Sequence, residues 1–291
     1  MKNKKIIVIG GSGFLGSHVA DILTENNYDV HIFDINPSKW IKKKQHFIKG
    51  DILNYNHLLK AFKNAYAVFH FAGIADIKEA NLNAFKSVEQ NILGTTKILE
   101  ACVKSKIKRF IFSSTIYVYS DFGGIYKTTK QSCELLIETF NKEKNLDFTI
   151  LRFGSLYGPR ANKFNFVHQA ISQAIKEGKI LRKGTGNEIR EYIHVSDASY
   201  ACLGSLSQEY KNSYLMVTGS QRFKIKELLN MINEIMDNKL KIKYLKQRNE
   251  GHYESSPYSF KPRSAKKFIG KNEVDIGQGL LDLIYEINSE I

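Results

Sequence analysis

Short β-rich apolar runs recur along the first half of the chain. They are KIIVIG (5–10), DVHIFD (29–34), HFIKGD (46–51), AVFHFAG (67–73), RFIFSS (109–114) and FTILRF (148–153). Several of them are apolar at nearly every position, which is typical of parallel strands that are buried on both faces. The pattern therefore predicts six strands of a parallel sheet.

Between these runs, apolar residues recur every three or four positions, as on one face of a helix. Three such faces are Leu15, Val19, Ile22 and Leu23; Phe85, Val88, Ile92, Leu99 and Val103; and Cys133, Leu136, Ile137 and Phe140. Strands that alternate with amphipathic helices form βαβ units. We therefore predict an α/β fold with a Rossmann-type, doubly wound parallel sheet.

The alternation weakens after about residue 154. Further strands are predicted at 191–195 and 214–218, and helices near 164–177, 197–206 and 224–237, with Ser196 and Asp197 as N-cap residues of the second helix. We predict a dinucleotide-binding domain over residues 1–153, which strands from about 188–218 rejoin. Residues 154–291 would then form mainly a smaller C-terminal α/β domain that binds substrate.

Length and composition are those of an ordinary globular protein. The chain has 291 residues, of which 43% are hydrophobic and 25% charged, and it suits one large or two closely joined domains. The apolar run from Ile6 to Ile9 is too short for a signal peptide, and no run approaches the ~20 apolar residues of a membrane span. We expect a cytoplasmic protein with no membrane partner.

The net charge of +14 comes from lysines that are spread along the chain. This distribution favours a solvated surface over a nucleic-acid partner, and a nucleotide- or RNA-binding role would rest on charge alone. Three scattered cysteines indicate a reducing compartment. The eight histidines are dispersed in the sequence, so we expect no metal site.

The segment GGSGFLG (10–16) follows the first predicted strand and opens the first helix. Its glycines allow a tight turn and let the backbone and the helix N-terminus approach a pyrophosphate. The second strand ends in Asp34, where the dinucleotide fingerprint places a carboxylate on the ribose hydroxyls. A carboxylate there would repel a 2′-phosphate, which favours NAD over NADP. For Asp51, after the third strand, an adenine contact and a turn cap are alternatives.

The segment IYKTTK (125–130) places Tyr126 and Lys130 four positions apart where a helix begins. Residues with this spacing lie on one face of a helix, one turn apart. Two interpretations follow from the geometry alone. The pair is either an ordinary surface pair or a phenol and an ammonium that act on one proton.

A family likeness runs through GGSGFLG, GDIL, VFHFAG, NILGTT, FIFSSTIYVYS, YKTTK, LRFGSLYGPR and REYIHVSDAS, in this order. Their combination resembles the extended short-chain dehydrogenase/reductases, and most closely the NAD-dependent nucleotide-sugar epimerases and dehydratases. The resemblance covers about residues 1–205 and is fainter around PRSAKKFIG (262–270). It implies NAD as cofactor, a nucleotide-diphosphate sugar as substrate, a role in polysaccharide biosynthesis, and a homodimer or higher homo-oligomer.

The resemblance also implies roles for individual residues. Tyr126 and Lys130 match the family's Tyr-x-x-x-Lys pair, and Thr115 matches its catalytic Ser/Thr. The ammonium of Lys130 would favour the phenolate of Tyr126, and Lys130 would also hold the nicotinamide ribose. The expected cofactor contacts are Gly10, Gly13, Phe14, Leu15, Asp34, Asp51, Ile52, Phe71, Ala72, Gly73, Asn91, Ser113, Tyr126 and Lys130. For Asn91, shaping its helix near the site and a surface amide are alternatives.

Three departures from the family pattern bear on the substrate. Ile116 and Tyr117 stand where the dehydratases carry Asp-Glu, which argues against 4,6-dehydration. The connection from Thr115 to Tyr126 is short, so the sugar pocket is either open or walled by another segment. Ser155 follows Gly154 where the family has an asparagine that contacts the diphosphate.

The expected substrate contacts are Thr115, Ser155, Arg190 and Arg248, with Arg263 as an alternative to Arg248. An arginine fork matches a phosphate bidentately. The resulting hypothesis is a nucleotide-sugar 4-epimerase, with a 4-dehydrogenase or reductase as the alternative. The sequence does not identify the base or the sugar.

Overall fold

The structure, a computed structural model, describes residues 3–245, 251–254, 266–267, 270 and 273–290. Its strands are β1 (Lys5–Ile9), β2 (Asp29–Asp34), β3 (Gln45–Lys49), β4 (Ala67–His70), β5 (Arg109–Thr115), β6 (Phe148–Phe153), β7 (Ser155–Tyr157), β8 (Lys179–Lys183), β9 (Ile189–His194), β10 (Ser213–Val217), β11 (Arg222–Lys224), β12 (Lys241–Leu245) and β13 (Lys266–Lys267). Its α-helices are α1 (Phe14–Glu25), α2 (Tyr55–Phe62), α3 (Ile77–Leu82), α4 (Ala84–Ser87), α5 (Gly94–Lys104), α6 (Gly124–Lys144), α7 (Phe166–Glu177), α8 (Val195–Gly204), α9 (Ile225–Ile235) and α10 (Ile276–Ser289). Short 3₁₀-helices occur at Ile116–Tyr119 and Gln208–Tyr210.

The central sheet has the strand order β13-β10-β6-β5-β4-β1-β2-β3. Every neighbouring pair in it is parallel. All six strands predicted from the apolar runs are present, and the order reverses between β1 and β4. The prediction of a doubly wound parallel sheet is therefore confirmed. Ligands of such sheets bind beyond the carboxyl ends of the strands at this reversal.

Helices cover both faces of the central sheet. On one face α1 and α8 pack over a core that includes Val8, Ile32 and Leu151, and on the other α2, α5 and α6 pack over Ile7, Val68 and Phe110. The strands are apolar almost throughout because each face meets a helix layer. The apolar face predicted for the first helix is correct, since Leu15, Val19, Ile22 and Leu23 are all buried.

The later part of the chain builds a smaller layer beside the carboxyl ends of the sheet. Strands β7, β9 and β11 form one small sheet and β8 pairs with β12, while α7, α9 and α10 enclose a third apolar core. The predicted strand near 191–195 is β9, which lies in the small sheet, whereas the one near 214–218 is β10 of the central sheet. We propose that the two domains divide near residue 154, with β10 returning to the first.

Two local expectations are wrong. The apolar face from Phe85 to Val103 does not run along one helix, because a π-helix at Val88–Leu93 separates α4 from α5. The wider turns of the π-helix rotate the side chains before it relative to those of α5. Phe85 and Val88 are therefore 84% and 45% exposed. At the start of α8, the N-cap is His194, whose ring nitrogen accepts from the Ser196 backbone N–H (3.3 Å), and Ser196 and Asp197 lie inside the helix.

The three cysteines are free and buried. Among the residues that the structure describes, no helix combines the length and the apolar character that crossing a bilayer requires. Two of the histidines that are dispersed in the sequence lie close together in the fold. Strand pairing brings His31 and His46 together beside Asp29, which the spacing in the sequence did not indicate.

Candidate functional site

One cleft of about 1420 Å³ opens at the carboxyl ends of the central strands and reaches the smaller layer. The sequence-predicted residues that line it are Gly10, Gly13, Phe14, Leu15, Asp34, Asp51, Ile52, Phe71, Ala72, Gly73, Ser113, Thr115, Tyr126, Ser155 and Arg190. They come from segments up to 180 positions apart in the sequence (190 − 10). Lys130 and Asn91 lie behind this lining, and Arg248 and Arg263 lie outside the described residues.

The loop between β1 and α1 has a shape that only glycine permits. Gly10 has φ of +75°, and a Cβ there would lie 2.6 Å from the backbone nitrogen of Ala72. A Cβ on Gly16 would lie 2.2 Å from the Gly10 carbonyl oxygen. No side chain caps the N-terminus of α1 at Gly13, so its first-turn N–H groups remain available to an anion.

Asp34 is joined to this loop by its own hydrogen bonds. Its carboxylate accepts from the backbone N–H of Ser12 (3.1 Å) and of Asn36 (3.2 Å). The side chain is thereby fixed at the end of β2, between the glycine loop and the next turn. The glycine cradle, the uncapped helix N-terminus and this carboxylate together fit the pyrophosphate and ribose of a dinucleotide.

Asp51 and Ile52 play visible structural roles at the end of β3. The Asp51 carboxylate accepts from the backbone N–H of Leu53 (2.8 Å), which is the turn role that the sequence left open. Ile52 packs against the helix at Gly94, where an added Cβ would lie 2.7 Å from its Cδ1. Both residues line the cleft, so these roles do not remove them from the site.

Asn91 is buried and is not a surface amide. Its Oδ1 accepts from the backbone N–H of Ile74 (2.8 Å), and its Nδ2 donates to the Ile74 carbonyl (3.0 Å) and to Thr129 Oγ1 (3.0 Å). The side chain thus ties the loop after β4 to α6. Its amide is fully engaged by the protein, and it therefore shapes the site through Gly73 and Ile74.

Thr115, Tyr126 and Lys130 converge where β5 ends and α6 begins. Gly123, with φ of +99°, turns the chain into α6, and the Tyr126 and Thr115 hydroxyls are hydrogen-bonded. Lys130 donates from Nζ to the Ser113 carbonyl (2.7 Å), and Nζ lies 6.0 Å from the centre of the Tyr126 ring. Lys130 is buried and Tyr126 is half-buried at the lining of the cleft, so the interpretation as an ordinary surface pair is wrong.

Burial dominates the ionisation of this pair in the protein alone. Desolvation raises the pKa of Tyr126 to about 12, against the lowering effect of the Thr115 hydrogen bond. Desolvation also lowers the pKa of Lys130 to about 8, against the raising effects of Cys133 and Glu134. The phenol pKa thus moves opposite to the direction expected from the neighbouring ammonium, because the loss of water outweighs the Thr115 hydrogen bond, which is the opposing cause.

A buried ion pair behind the site, between Glu134 and Arg152, was not predicted from the sequence. Glu134, one turn after Lys130, accepts from Arg152 at both oxygens (3.1 and 2.7 Å) and from Ser114 Oγ (2.5 Å). Arg152 also donates to Tyr119 Oη (2.6 Å). These contacts fasten α6 to β5 and β6. They show that Ser114 donates to this ion pair, although both Ser113 and Ser114 line the cleft.

The wall opposite Tyr126 is built by residues 251–254. Gly251 accepts from the Gly123 N–H (3.0 Å), and the Tyr117 hydroxyl lies 2.6 Å from His252 Nδ1. The Tyr253 ring lies under the Arg190 guanidinium, 4.1 Å from its Cζ, and Tyr253 is hydrogen-bonded to Ser155. The pocket beside the short connection is therefore walled by another segment, one of the two alternatives that the sequence left open.

Comparisons with known proteins agree with this geometry. A 28% identical relative, the UDP-N-acetyl-alpha-D-glucosaminuronate decarboxylase of Bacillus cytotoxicus, aligns over 82% of each chain. The UDP-N-acetylglucosamine 4-epimerase of Methanobrevibacter ruminantium, solved with UDP-N-acetylmuramic acid, is 25% identical and superposes over 100% of both chains with a TM-score of 0.86. The UDP-glucose 4-epimerase of Thermotoga maritima, solved with UDP-glucose, is 24% identical and covers 98% of this chain and 99% of its own with a TM-score of 0.87.

The profile of the NAD dependent epimerase/dehydratase family matches residues 6–215. This range contains the glycine loop, Asp34, Thr115, Tyr126, Lys130 and Arg190. The chain belongs to the NAD dependent epimerase/dehydratase family.

Proposed function

We propose that this protein is an NAD-dependent 4-epimerase of a nucleotide-diphosphate sugar. The observation that carries the proposal is that Thr115 and Tyr126 line one cleft together with the glycine loop and Arg190, with Lys130 directly behind them. Bound NAD would accept a hydride from the sugar carbon and return it. Gly10, Gly13 and Asp34 would hold the dinucleotide, and Lys130 would hold its nicotinamide ribose.

Tyr126 is the group that exchanges a proton with the sugar hydroxyl. Its phenol sits between Thr115, which would share the hydrogen bond to the reacting oxygen, and the ammonium of Lys130. With a pKa of about 12 in the protein alone, it needs a further positive charge nearby to act as a base at neutral pH. Binding of a cationic ring beside Tyr126 would meet this requirement.

Arg190 and Ser155 are proposed to contact the diphosphate. Arg190 is 6% exposed and faces the cleft, with one N–H donated to its own strand at Ile189 (2.8 Å). The rest of the fork faces a pocket in which a diphosphate would be its charge partner. Two related structures hold UDP-sugars, which supports a uridine nucleotide as the substrate class. Such sugars are precursors of polysaccharides.

A 4-dehydrogenase or reductase is the second candidate, because the same three residues perform its first step. A short connection between Thr115 and Tyr126 leaves less protein to retain the ketosugar, and its release would favour the dehydrogenase. Dehydration has less support, since Ile116 and Tyr117 carry no carboxylate. Ile116 is buried, and the Tyr117 hydroxyl is paired with His252.

The test is a panel of UDP-, GDP- and dTDP-sugars incubated with purified protein and NAD. We expect inversion at C4 for at least one UDP-sugar, detected by NMR of the sugar, and no reaction after Tyr126→Phe. Formation of a ketosugar without inversion would favour the dehydrogenase. A panel in which no sugar changes at C4 would overturn both functions.

We also propose that two copies associate through the apolar residues left exposed on α3, α4 and α6. Leu82, Phe85 and Leu135 are 83%, 84% and 63% exposed and lie on three helices that contact one another, and exposed apolar side chains grouped in this way are typical of an interface. Light scattering should give twice the chain mass of 33.3 kDa. Phe85→Glu should shift the protein to monomer, and a monomeric wild-type protein would contradict the proposal.

A further inference from the structure

A second cluster of chemically active side chains lies at the edge of the central sheet, away from the cleft. Asp29 and His31 are two positions apart in β2, so their side chains leave the same face of the strand. His46 lies in the edge strand β3 and is directly opposite His31 in the parallel register. Strand pairing thus joins residues that the sequence separates by 15 positions (46 − 31).

The possible ligand atoms of the three side chains lie close together. His31 Nε2 lies 3.1 Å from Asp29 Oδ2, and His46 Nε2 lies 3.4 Å from Asp29 Oδ1. The two imidazole rings are stacked with centroids 4.7 Å apart and an interplanar angle of 29°. One ligand atom from each residue lies within 4.8 Å of the other two. The carboxylate is therefore flanked by two nitrogens from different strands.

We propose that Asp29, His31 and His46 bind a divalent transition-metal ion of the Zn²⁺ class. Two imidazole nitrogens and a carboxylate oxygen form a set that suits zinc and its neighbours better than Mg²⁺ or Ca²⁺. Ligand atoms bonded to zinc at about 2.0–2.2 Å stand roughly 3.3 Å from one another in a tetrahedron. The two nitrogen–oxygen separations, 3.1 Å to Oδ2 and 3.4 Å to Oδ1 of Asp29, are close to this spacing. Because they involve different carboxylate oxygens, binding through one oxygen requires the side chains to adjust from separations that are within 4.8 Å.

The location gives such an ion a structural consequence. The cluster is at the amino-terminal end of β2, whereas the cleft lies at the carboxyl ends of the strands. β3 is the last strand of the sheet and has a neighbour on one side only. An ion held by His31 and His46 would join β3 to β2 through side chains as well as backbone. Because it binds only the folded protein, it would raise the melting temperature.

The surroundings predict a moderate affinity. Three protein ligands leave coordination positions for water, and the His46 and Asp29 side chains are 60% and 40% exposed. The ammonium of Lys5 acts on His31 from the neighbouring strand, but it is held by the carbonyls of Ala61 and Lys63, each at 2.9 Å. This charge opposes a cation without occupying the site.

The experiment is calorimetric titration of ZnCl₂ into untagged, chelator-treated full-length protein, alongside His31→Ala, His46→Ala and Asp29→Asn. We expect one Zn²⁺ per chain, weakened by about tenfold or more in each variant. His57→Ala, which removes an exposed histidine from α2, is the matched control and should keep the wild-type affinity. Zn²⁺ should raise the melting temperature of the wild type and of the control, but not of His46→Ala.

A Co²⁺ titration separates this site from adventitious binding, since the visible bands of Co²⁺ report nitrogen ligation. These bands should appear in the wild type and disappear in His31→Ala. Equal Zn²⁺ affinity in the wild type and all three ligand variants, or no stoichiometric Zn²⁺ binding by the wild type, would overturn the proposal. The NAD affinity of each variant, measured in parallel, identifies any that fail to fold.

Discussion

At the residue scale, the surroundings of Tyr126 favour its protonated form. Desolvation raises the pKa of Tyr126 to about 12 and lowers the pKa of Lys130 to about 8. The Lys130 ammonium donates a hydrogen bond to the Ser113 carbonyl. Without a ligand, the Tyr126 phenol is therefore too weakly acidic to act as a base at neutral pH. This arrangement couples proton removal to the arrival of positive charge in the cleft.

Tyr126→Phe should reduce turnover by ~10²–10⁴-fold, the range for losing a general acid–base group. NAD binding should stay within a few fold of wild type, because the phenol oxygen acts on the sugar proton. Steady-state turnover and NAD titration measure the two effects. Tyr285→Phe, the same change at a tyrosine that is 70% exposed, is the control, and near-normal turnover of Tyr126→Phe would refute the assignment.

Asp34→Ala should weaken NAD more than NADP. The substitution removes a partner of the ribose hydroxyls and a charge that repels a 2′-phosphate. Asp34→Asn keeps an acceptor for the Ser12 N–H while it removes the charge, so it isolates the repulsive part. Fluorescence titration with both cofactors measures the preference. An equal loss for NAD and NADP would count against Asp34 as the selector.

At the element scale, the sequence predicted what depends on local spacing. The six βαβ strands follow from apolar runs, and the glycine loop and the start of α6 follow from short motifs. The break in the helix near Val88 did not follow, since a π-turn depends on packing around Asn91. The Glu134–Arg152 pair was not predicted either, because the contact depends on how β5, β6 and α6 are placed relative to one another. The wall at residues 251–254 is a contact over about half the chain, which no local pattern encodes.

Tyr117 and His252, which both line the cleft, belong to this wall. If the sugar binds beside their hydrogen bond of 2.6 Å, as the proposed function requires, breaking it should weaken substrate binding and leave NAD binding nearly unchanged. We expect KM for the nucleotide sugar to rise by about 2–10-fold in Tyr117→Phe and in His252→Ala, which is the range for one hydrogen bond.

The double variant tests whether the two residues act as a unit. If the hydrogen bond is the shared cause, the rise in KM for Tyr117→Phe/His252→Ala should be close to that of either single variant. Fully multiplicative effects would show that the residues act separately. A KM unchanged in all three variants would remove residues 251–254 from the substrate pocket.

At the scale of the whole molecule, buried neutral histidines predict acid sensitivity. Burial is the leading cause that lowers the pKa of His18, His194 and His252 to about 4 and of His70 to about 3. In the unfolded chain these groups titrate near ~6.5. Between pH 6.5 and 4 the unfolded state therefore binds more protons, and the free energy of unfolding rises with pH.

Urea denaturation should accordingly show a lower midpoint at pH 5 than at pH 7. Asp197 acts in the opposite direction, because burial raises its pKa to about 6, but one carboxyl offsets only part of four histidines. His18→Gln, which retains a donor for the Pro159 carbonyl (3.0 Å), should reduce the pH dependence, whereas the exposed His57→Gln should not. A midpoint that is constant from pH 7 to 5 would contradict this account.

The fate of the hydrogen at C4 distinguishes the two candidate functions. An epimerase must keep the oxidised sugar in the cleft while the opposite face of its ring turns toward the cofactor. Under the proposed function, a large cleft whose wall includes the hydrogen-bonded Tyr117 and His252 would meet both demands. With a UDP-sugar deuterated at C4, we therefore expect deuterium to remain on the inverted carbon, observed by NMR and mass spectrometry. Loss of deuterium with release of a ketosugar would instead identify a dehydrogenase, and the His252→Ala variant should move the products in that direction because it opens the wall.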